Sequence, residues 1–303
     1  MKKLPKIYCV ITIDTEADHS FNWKKSNPLS FNSITDAIPL TLDPLFKKYG
    51  AVATYLLTTE VLENSVAVEV LKGIKNCELG THLHPEYIEP DKEFFDYCGT
   101  YSFRFSCNYP ANIENEKIAN ITRLFKEKLG YSPIVYRGGK FGFNDNTAAA
   151  LSSLGYLVDT SVTPKISWKK LGGPDFRNFP DQPYEVYNKN NGRLLEVPVT
   201  IMFFGFLRKI LNRPTWLRPT FSSGDRMKKL IDKFIHVHYY SHAVILNIMF
   251  HSMEFYAGAS PYSETEEDCR RLVDNLEKTL KHCQSIGAEF CGLSSVRKVW
   301  DKI

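Results

Sequence analysis

The chain has no Cys-x-x-Cys pair, no arginine-rich run, no internal repeat and no low-complexity linker. Each absence removes a class of protein. Seven cysteines, odd in number and irregularly spaced, do not make a disulfide framework and fit reduced thiols inside a cell. Cys9, Cys77 and Cys291 lie in apolar runs and read as small core hydrophobes. A net charge of +4 from 38 basic and 34 acidic residues is too mild and dispersed to point to nucleic acid, which is not expected as a partner. No run reaches the roughly 18 apolar residues a membrane helix needs. Met1-Lys2-Lys3 could open a secretory leader, but the apolar run from Ile7 stops at Asp14 without a small-residue cleavage site. A cytoplasmic protein is expected.

What is there suits a large core. With 303 residues and 43% hydrophobic content, a single α/β domain over 1–303 is expected. Ile7-Tyr8-Cys9-Val10-Ile11-Thr12-Ile13 is nearly continuously apolar and β-branched, the pattern of a parallel strand covered on both faces. It runs into Asp14-Thr15-Glu16, where carboxylates two apart share a face. Taken alone, the pair could equally cap a helix. A helical pattern follows over 34–49, then a strand at 51–57, a helix from Val61 to Lys75, and the strand Cys77 to Thr81. This βαβαβ order with short joints predicts parallel strands joined by right-handed crossovers.

The third strand delivers His82-Leu83-His84-Pro85. Neutral imidazoles are common metal donors, and two on one rigid strand lose little entropy on binding. Asp14, Glu16, His82 and His84 then fall at the same, C-terminal edge of the sheet, where α/β folds build their sites. Further on, Ile134-Val135-Tyr136 ends in Arg137-Gly138-Gly139, Tyr156-Leu157-Val158 ends in Asp159, and Ala243 to Phe250 ends in His251. An arginine at such an edge can grip a carboxylate with two donors. Residues 86–111 are an unusually aromatic connection, readable as a lid or a sugar-stacking wall, or as a loop packing on itself. Residues 163–193 read as an irregular insertion, 194–199 as a sixth strand, and helices are expected at 112–129, 224–237 and 263–285. Ile201 to Leu207, with Arg208, Lys209, Arg213 and Arg218, reads as buried core flanked by solvated charge, or as peripheral membrane contact through 201–218. His236, His238 and His242 precede the last long strand and read as structural or surface residues.

Assembled in order, these residues resemble the polysaccharide deacetylases, carbohydrate esterase family 4, built on the chitooligosaccharide-deacetylase homology domain. Thr12-Ile13-Asp14-Thr15-Glu16 resembles the first motif, and Gly80-Thr81-His82-Leu83-His84-Pro85 the second. Tyr136-Arg137-Gly138-Gly139, Asp159-Thr160-Ser161-Val162 and Met249-Phe250-His251-Ser252 are similar to the third, fourth and fifth. The likeness implies a deformed (β/α) barrel of about seven parallel strands with loop insertions. It implies Glu16, His82 and His84 as ligands of a divalent metal, most readily Zn²⁺, and Asp14 as base, held by Arg137. His251 would be the general acid, steadied by Asp159. The family commonly has adjacent aspartates and a four-residue histidine spacing. Asp-x-Glu and His-x-His are instead similar to subgroups of surface-polysaccharide and lipopolysaccharide gene clusters, and leave open whether Asp14 or Glu16 takes the metal. The implied substrate is an N-acylated sugar or lipid-linked glycan, met in the cytoplasm or at the inner face of the membrane. A metal-free, ring-opening amidohydrolase of the allantoinase-like branch and a non-catalytic carbohydrate-binding descendant are the alternatives.

Overall fold

The computed structural model describes residues 5–20, 22–92, 105–187, 193–204 and 213–302. Among them the strands are β1 (Lys6–Thr15), β2 (Ala53–Leu57), β3 (Cys77–Leu83), β4 (Val135–Gly138), β5 (Val158–Asp159), β6 (Tyr184–Tyr187), β7 (Arg193–Glu196), β8 (Ile201–Met202), β9 (Thr215–Trp216), β10 (Ala243–His251) and β11 (Glu289–Phe290). The main sheet has the order β10-β1-β2-β3-β4-β5-β7-β6. From β10 to β7 every neighbour is parallel, and β6 is an antiparallel edge on β7. Short β11 pairs with β1 at Tyr8 and Cys9, below the point where β2 begins. Between β7 and β10 the ladder is replaced by single bonds. Thr200 N donates to the Asn247 carbonyl (3.2 Å), Asn247 N donates to Thr200 Oγ1 (2.8 Å), and Met249 N donates to the Leu217 carbonyl (3.2 Å). The result is the deformed barrel implied by the motifs, closed along an irregular seam.

Alternation along the strands sorts the interior into layers. Val10, Leu56, Val135, Val158, Leu195 and Ile245 form an apolar floor, sealed by Leu293 and Val296 of the helix Leu293–Trp300. The next inward residues are polar: Thr12, Arg137, Thr160 and Asn247. Thr12 Oγ1 donates to Asn247 Oδ1 (2.8 Å), and Asn247 Nδ2 donates to Thr160 Oγ1 (2.9 Å). Arg137 donates from Nη2 to Thr12 Oγ1 (2.6 Å), from Nε to the Thr160 carbonyl (2.9 Å), and from Nη1 to Asp14 Oδ1 (2.6 Å). Above this layer stand Asp14, His82 and His251, at the strand ends. Outside the sheet, helices Ala111–Leu129, Gly224–Val237 and Glu266–Ser285 pack apolar stripes such as Ile118/Ile121/Phe125 and Leu230/Ile231/Phe234 into the larger core. No helix of the described residues is long and apolar enough to cross a membrane.

Several elements differ from expectation. The helix expected over 34–49 is a π-helix, Ser33–Leu42, continuing into the α-helix Asp43–Tyr49. Pro39 inside it cannot donate a backbone bond, and a widened turn accommodates that loss. The helix from Val61 to Lys75 is two helices, Thr59–Glu63 and Ser65–Gly73, because the Asn64 side chain accepts from Ala67 N (2.9 Å) and caps a new start. The insertion 163–193 contains β6, and β7 stops at Glu196, two residues before Pro198.

Arg137 is wholly inaccessible to solvent, and its partner Asp14 nearly so. Removing one member of such a pair leaves an uncompensated buried charge. Arg137→Met is therefore expected to destabilise the fold by about 3–5 kcal/mol, measured from the denaturant midpoint at constant m-value. A loss under about 1 kcal/mol, the size of an exposed pair, would contradict the layered description.

Candidate metal centre

Glu16 lies one residue beyond β1, while β3 ends in His82-Leu83 and passes His84 into the turn Pro85–Tyr87. Glu16 Oε1 is 3.4 Å from Nε2 of both His82 and His84. One donor atom from each of the three lies within 4.8 Å of the others, and all three residues are buried. Asp14 turns Oδ1 to Arg137 and leaves Oδ2 3.8 Å from Nε2 of both His82 and His251. His251 Nε2 is also 3.8 Å from Glu16 Oε1. Asp14, Glu16, His82, His84, Arg137 and His251 thus meet in one place.

The donor set fits a divalent cation. His82 Nδ1 lies 3.0 Å from the Arg137 carbonyl, which only accepts, so Nδ1 carries a hydrogen and Nε2 is the atom left to bind a metal. His84 Nε2 is buried and has no hydrogen-bond partner, an unmet polar atom that a metal ion would satisfy. On its other side His84 Nδ1 is 3.8 Å from Glu86 Oε1, which Lys140 holds at 2.9 Å. A glycine makes room for that ring: a Cβ on Gly139 would meet the Leu83 carbonyl at 2.6 Å and His84 Cγ at 3.0 Å. Burial raises a carboxylic acid, but His84 and His82 outweigh it and hold Glu16 well below the usual range. Burial would lower His84, yet Glu16 and Glu86 raise it to about 9. Asp14 is likewise held down against its burial by Arg137, His82 and His251.

The anion beside His251 is not Asp159. Successive strand residues face opposite ways, so Arg137 and Thr160 enter the barrel while Tyr136 and its register partner Asp159 point out of it. Asp159 accepts from Ser161 N (3.0 Å) and Ser161 Oγ (2.8 Å) and sits opposite Glu196 on β7. Burial and the Asp159 charge push Glu196 well above the ordinary carboxyl range. His251 turns Nδ1 to Glu254 Oε1 (2.8 Å), three residues on in the 3₁₀ turn Ser252–Phe255. Arg218 Nη2 is 3.0 Å from the same nitrogen, but two donors cannot bond each other. Arg218 instead donates to Glu254, as does Thr220 Oγ1. Arg218, expected as solvated charge, is buried; residues 205–212 of that segment lie outside the described residues.

Over the centre lies a cavity of about 470 Å³ with aromatic walls. Neighbouring rings touch in an unbroken arc from Trp23 through Tyr262, Phe221, Trp216 and Phe141 to Trp168, at centroid spacings of 5.4, 5.7, 5.8, 6.0 and 5.6 Å. Trp23, Lys140 and Phe141, all lining the cavity, have φ of 63°, 55° and 64°. Such left-handed non-glycine residues concentrate at sites where the surroundings over-determine them. The aromatic connection 86–111 contributes only Tyr87 and Phe105 of its described residues to the lining; Phe94, Phe95, Tyr97, Tyr101 and Phe103 lie outside the described residues.

Three solved structures share this architecture over nearly the whole chain. One is a Mycobacterium smegmatis protein assigned as a polysaccharide deacetylase, 13% identical, covering 99% of this chain and 91% of its own, with a TM-score of 0.57. Another, assigned likewise and from Pseudomonas aeruginosa PAO1, is 14% identical, with coverage of 98% and 91% and a TM-score of 0.57. Puue allantoinase is 14% identical, with coverage of 98% and 90% and a TM-score of 0.60. The chain has their fold. No protein-family model matches the sequence, and no curated protein matches it.

The sequence carried a usable sign of Glu254, a carboxylate three residues after a strand-end histidine, whereas the aromatic arc draws on distant segments and had no local mark. Burial would raise Glu254, but Arg218 and His251 hold it below its ordinary value of 4.5. A carboxyl with a depressed folded value stabilises above that ordinary value and loses the contribution as pH falls through the folded one. The stability gap between wild type and Glu254→Gln should therefore be largest near neutrality and narrow below about pH 4.5. A gap that is constant with pH in denaturation curves would contradict the pairing.

Proposed function

We propose that the chain is a metal-dependent amide hydrolase that removes an N-acetyl or related acyl group from a sugar. The observation that carries this is the junction of two imidazoles and a carboxylate with a second carboxylate and a third imidazole, beneath an aromatic-walled cavity. Glu16, His82 and His84 would hold the cation, and two nitrogens with one oxygen favour zinc. Bound there, the ion supplies a Lewis acid that polarises the acyl carbonyl and acidifies water. The chain's own residues do the rest. Arg137 fixes Asp14 through Oδ1, so that Oδ2 is free to take the proton of the attacking water. As the water oxygen bonds to the carbonyl carbon and the carbon–nitrogen bond breaks, His251 Nε2 gives a proton to the departing amine. Glu254 orients that ring through Nδ1 and stabilises its charge. Trp23, Tyr262 and Phe221 offer apolar faces for a sugar ring and keep bulk water from the centre. A role in surface-polysaccharide or lipopolysaccharide synthesis, on a lipid-linked sugar, is supported only by the Asp-x-Glu and His-x-His spacing.

Two measurements test the reading. Elemental analysis of the purified protein should find about one zinc per chain, and His82→Ala or His84→Ala should lose both metal and release of acetate from N-acetyl sugars. Turnover that survives in a chelator-treated His82→Ala protein would transfer the histidines to substrate contact, as a metal-free ring-opening hydrolase requires. Asp14→Asn should keep its metal while kcat falls by about 10²–10⁴. A smaller fall would assign the base elsewhere.

A further inference from the structure

Arg218 is 4% exposed and lines the cavity beside His251. Its Nη2 is committed to Glu254, yet its Nε is buried without a hydrogen-bond partner. A guanidinium carries five N–H donors in a rigid plane, and a buried one left unsatisfied calls for an explanation. Service as a counter-ion to Glu254 does not supply it, because Nη2 and Thr220 already meet that carboxylate. Nor does packing: the guanidinium carbon stands 4.3 Å from the Phe221 ring centroid and 5.5 Å from that of Tyr262, contacts that give Nε no acceptor. The two ammonium groups in the lining, Lys25 and Lys140, meet the buried carboxylates Glu60 and Glu86.

We propose that Arg218 makes this cavity select an N-acyl sugar that also bears an anion, a carboxylate or a phosphate, on the same sugar unit. The unpaired Nε–H is a fixed, charge-assisted donor for an oxygen of either anion, and a lysine in the same place would offer only a point charge. Because Arg218 adjoins His251, the anion falls on the same sugar unit as the acyl nitrogen that His251 serves. This deepens, and rests on, the amide-hydrolase reading of the site.

The test is calorimetric binding to the full-length, zinc-loaded protein of three probes: N-acetylglucosamine, its 1-phosphate and its 6-carboxylate. At least one anionic probe should bind about tenfold or more tighter than the neutral sugar. That ratio should collapse to about one in Arg218→Gln and recover only in part in Arg218→Lys. Which anion is preferred separates sugar phosphates from sugar acids. Equal binding of all three by the wild type would overturn the proposal, as would a preference that persists in Arg218→Gln, since the metal would then be holding the anion. The wild-type comparison stands even if the variants do not fold. Acetate release is read separately: turnover of the neutral sugar with no anionic preference sinks the subsite alone, and preferential binding without turnover of any probe sinks the hydrolase reading alone.

Discussion

A cation with no access to water sits at the centre of this barrel. Arg137 touches Thr12 and Asp14 on β1 and Thr160 just past β5, while its carbonyl fixes the tautomer of His82 on β3. An unpaired guanidinium in that position would be severely unfavourable, so the fold forms only when those strands bring their polar groups to it. The same requirement pins the register of β1, β3, β4 and β5, because a slip of one residue would turn Asp14 or Arg137 out of the barrel. Stability and the geometry of the centre therefore rest on one network. Asn247 on β10 extends it across the irregular seam to Thr12 and Thr160.

Outward from the centre the pattern repeats on a smaller scale. His84 has Glu86 and Lys140 behind it, and His251 has Glu254 and Arg218. In each case a buried carboxylate stands between an imidazole and a cation. It thereby orients the ring and balances the positive charge. Lys25 with Glu60 is a third pair on the same cavity wall. His19, in the same wall, is held neutral, down to about 3, by its burial and by Lys25. It can contribute a hydrogen bond to a ligand but not a charge.

How much of this was legible in the sequence follows from side-chain periodicity. Asp14/Glu16 and His82/His84 were readable because residues two apart on a strand share a face, and the apolar lead-in said which end of the strand they occupied. Arg137 and His251 were readable for the same reason, and the parallel order of the sheet followed from the βαβαβ spacing. Asp159 misled because β5 is only two residues long, too short for alternation to reveal which face it uses. Asn64 divides a helix through a cap worth only about 1 kcal/mol, a signal easily overridden by the apolar pattern on either side. Aromatics are dense in sequence at 86–111, a pattern that a wall, a lid and a self-packing loop share. Among the described residues the wall is assembled mostly from single side chains that tertiary folding collects, and Trp23 and Trp168 lie 145 positions apart.

The central claim is that Glu16, His82 and His84 share one ion. It is tested most directly by an anomalous difference map, recorded on both sides of the zinc absorption edge, from crystals grown with zinc. The account predicts one dominant peak, bonded to Glu16 and to Nε2 of both histidines, with Asp14 still gripped by Arg137 and outside the coordination sphere. A map with no peak among those three residues at saturating zinc, or with the ion on Asp14 in place of Glu16, would contradict it.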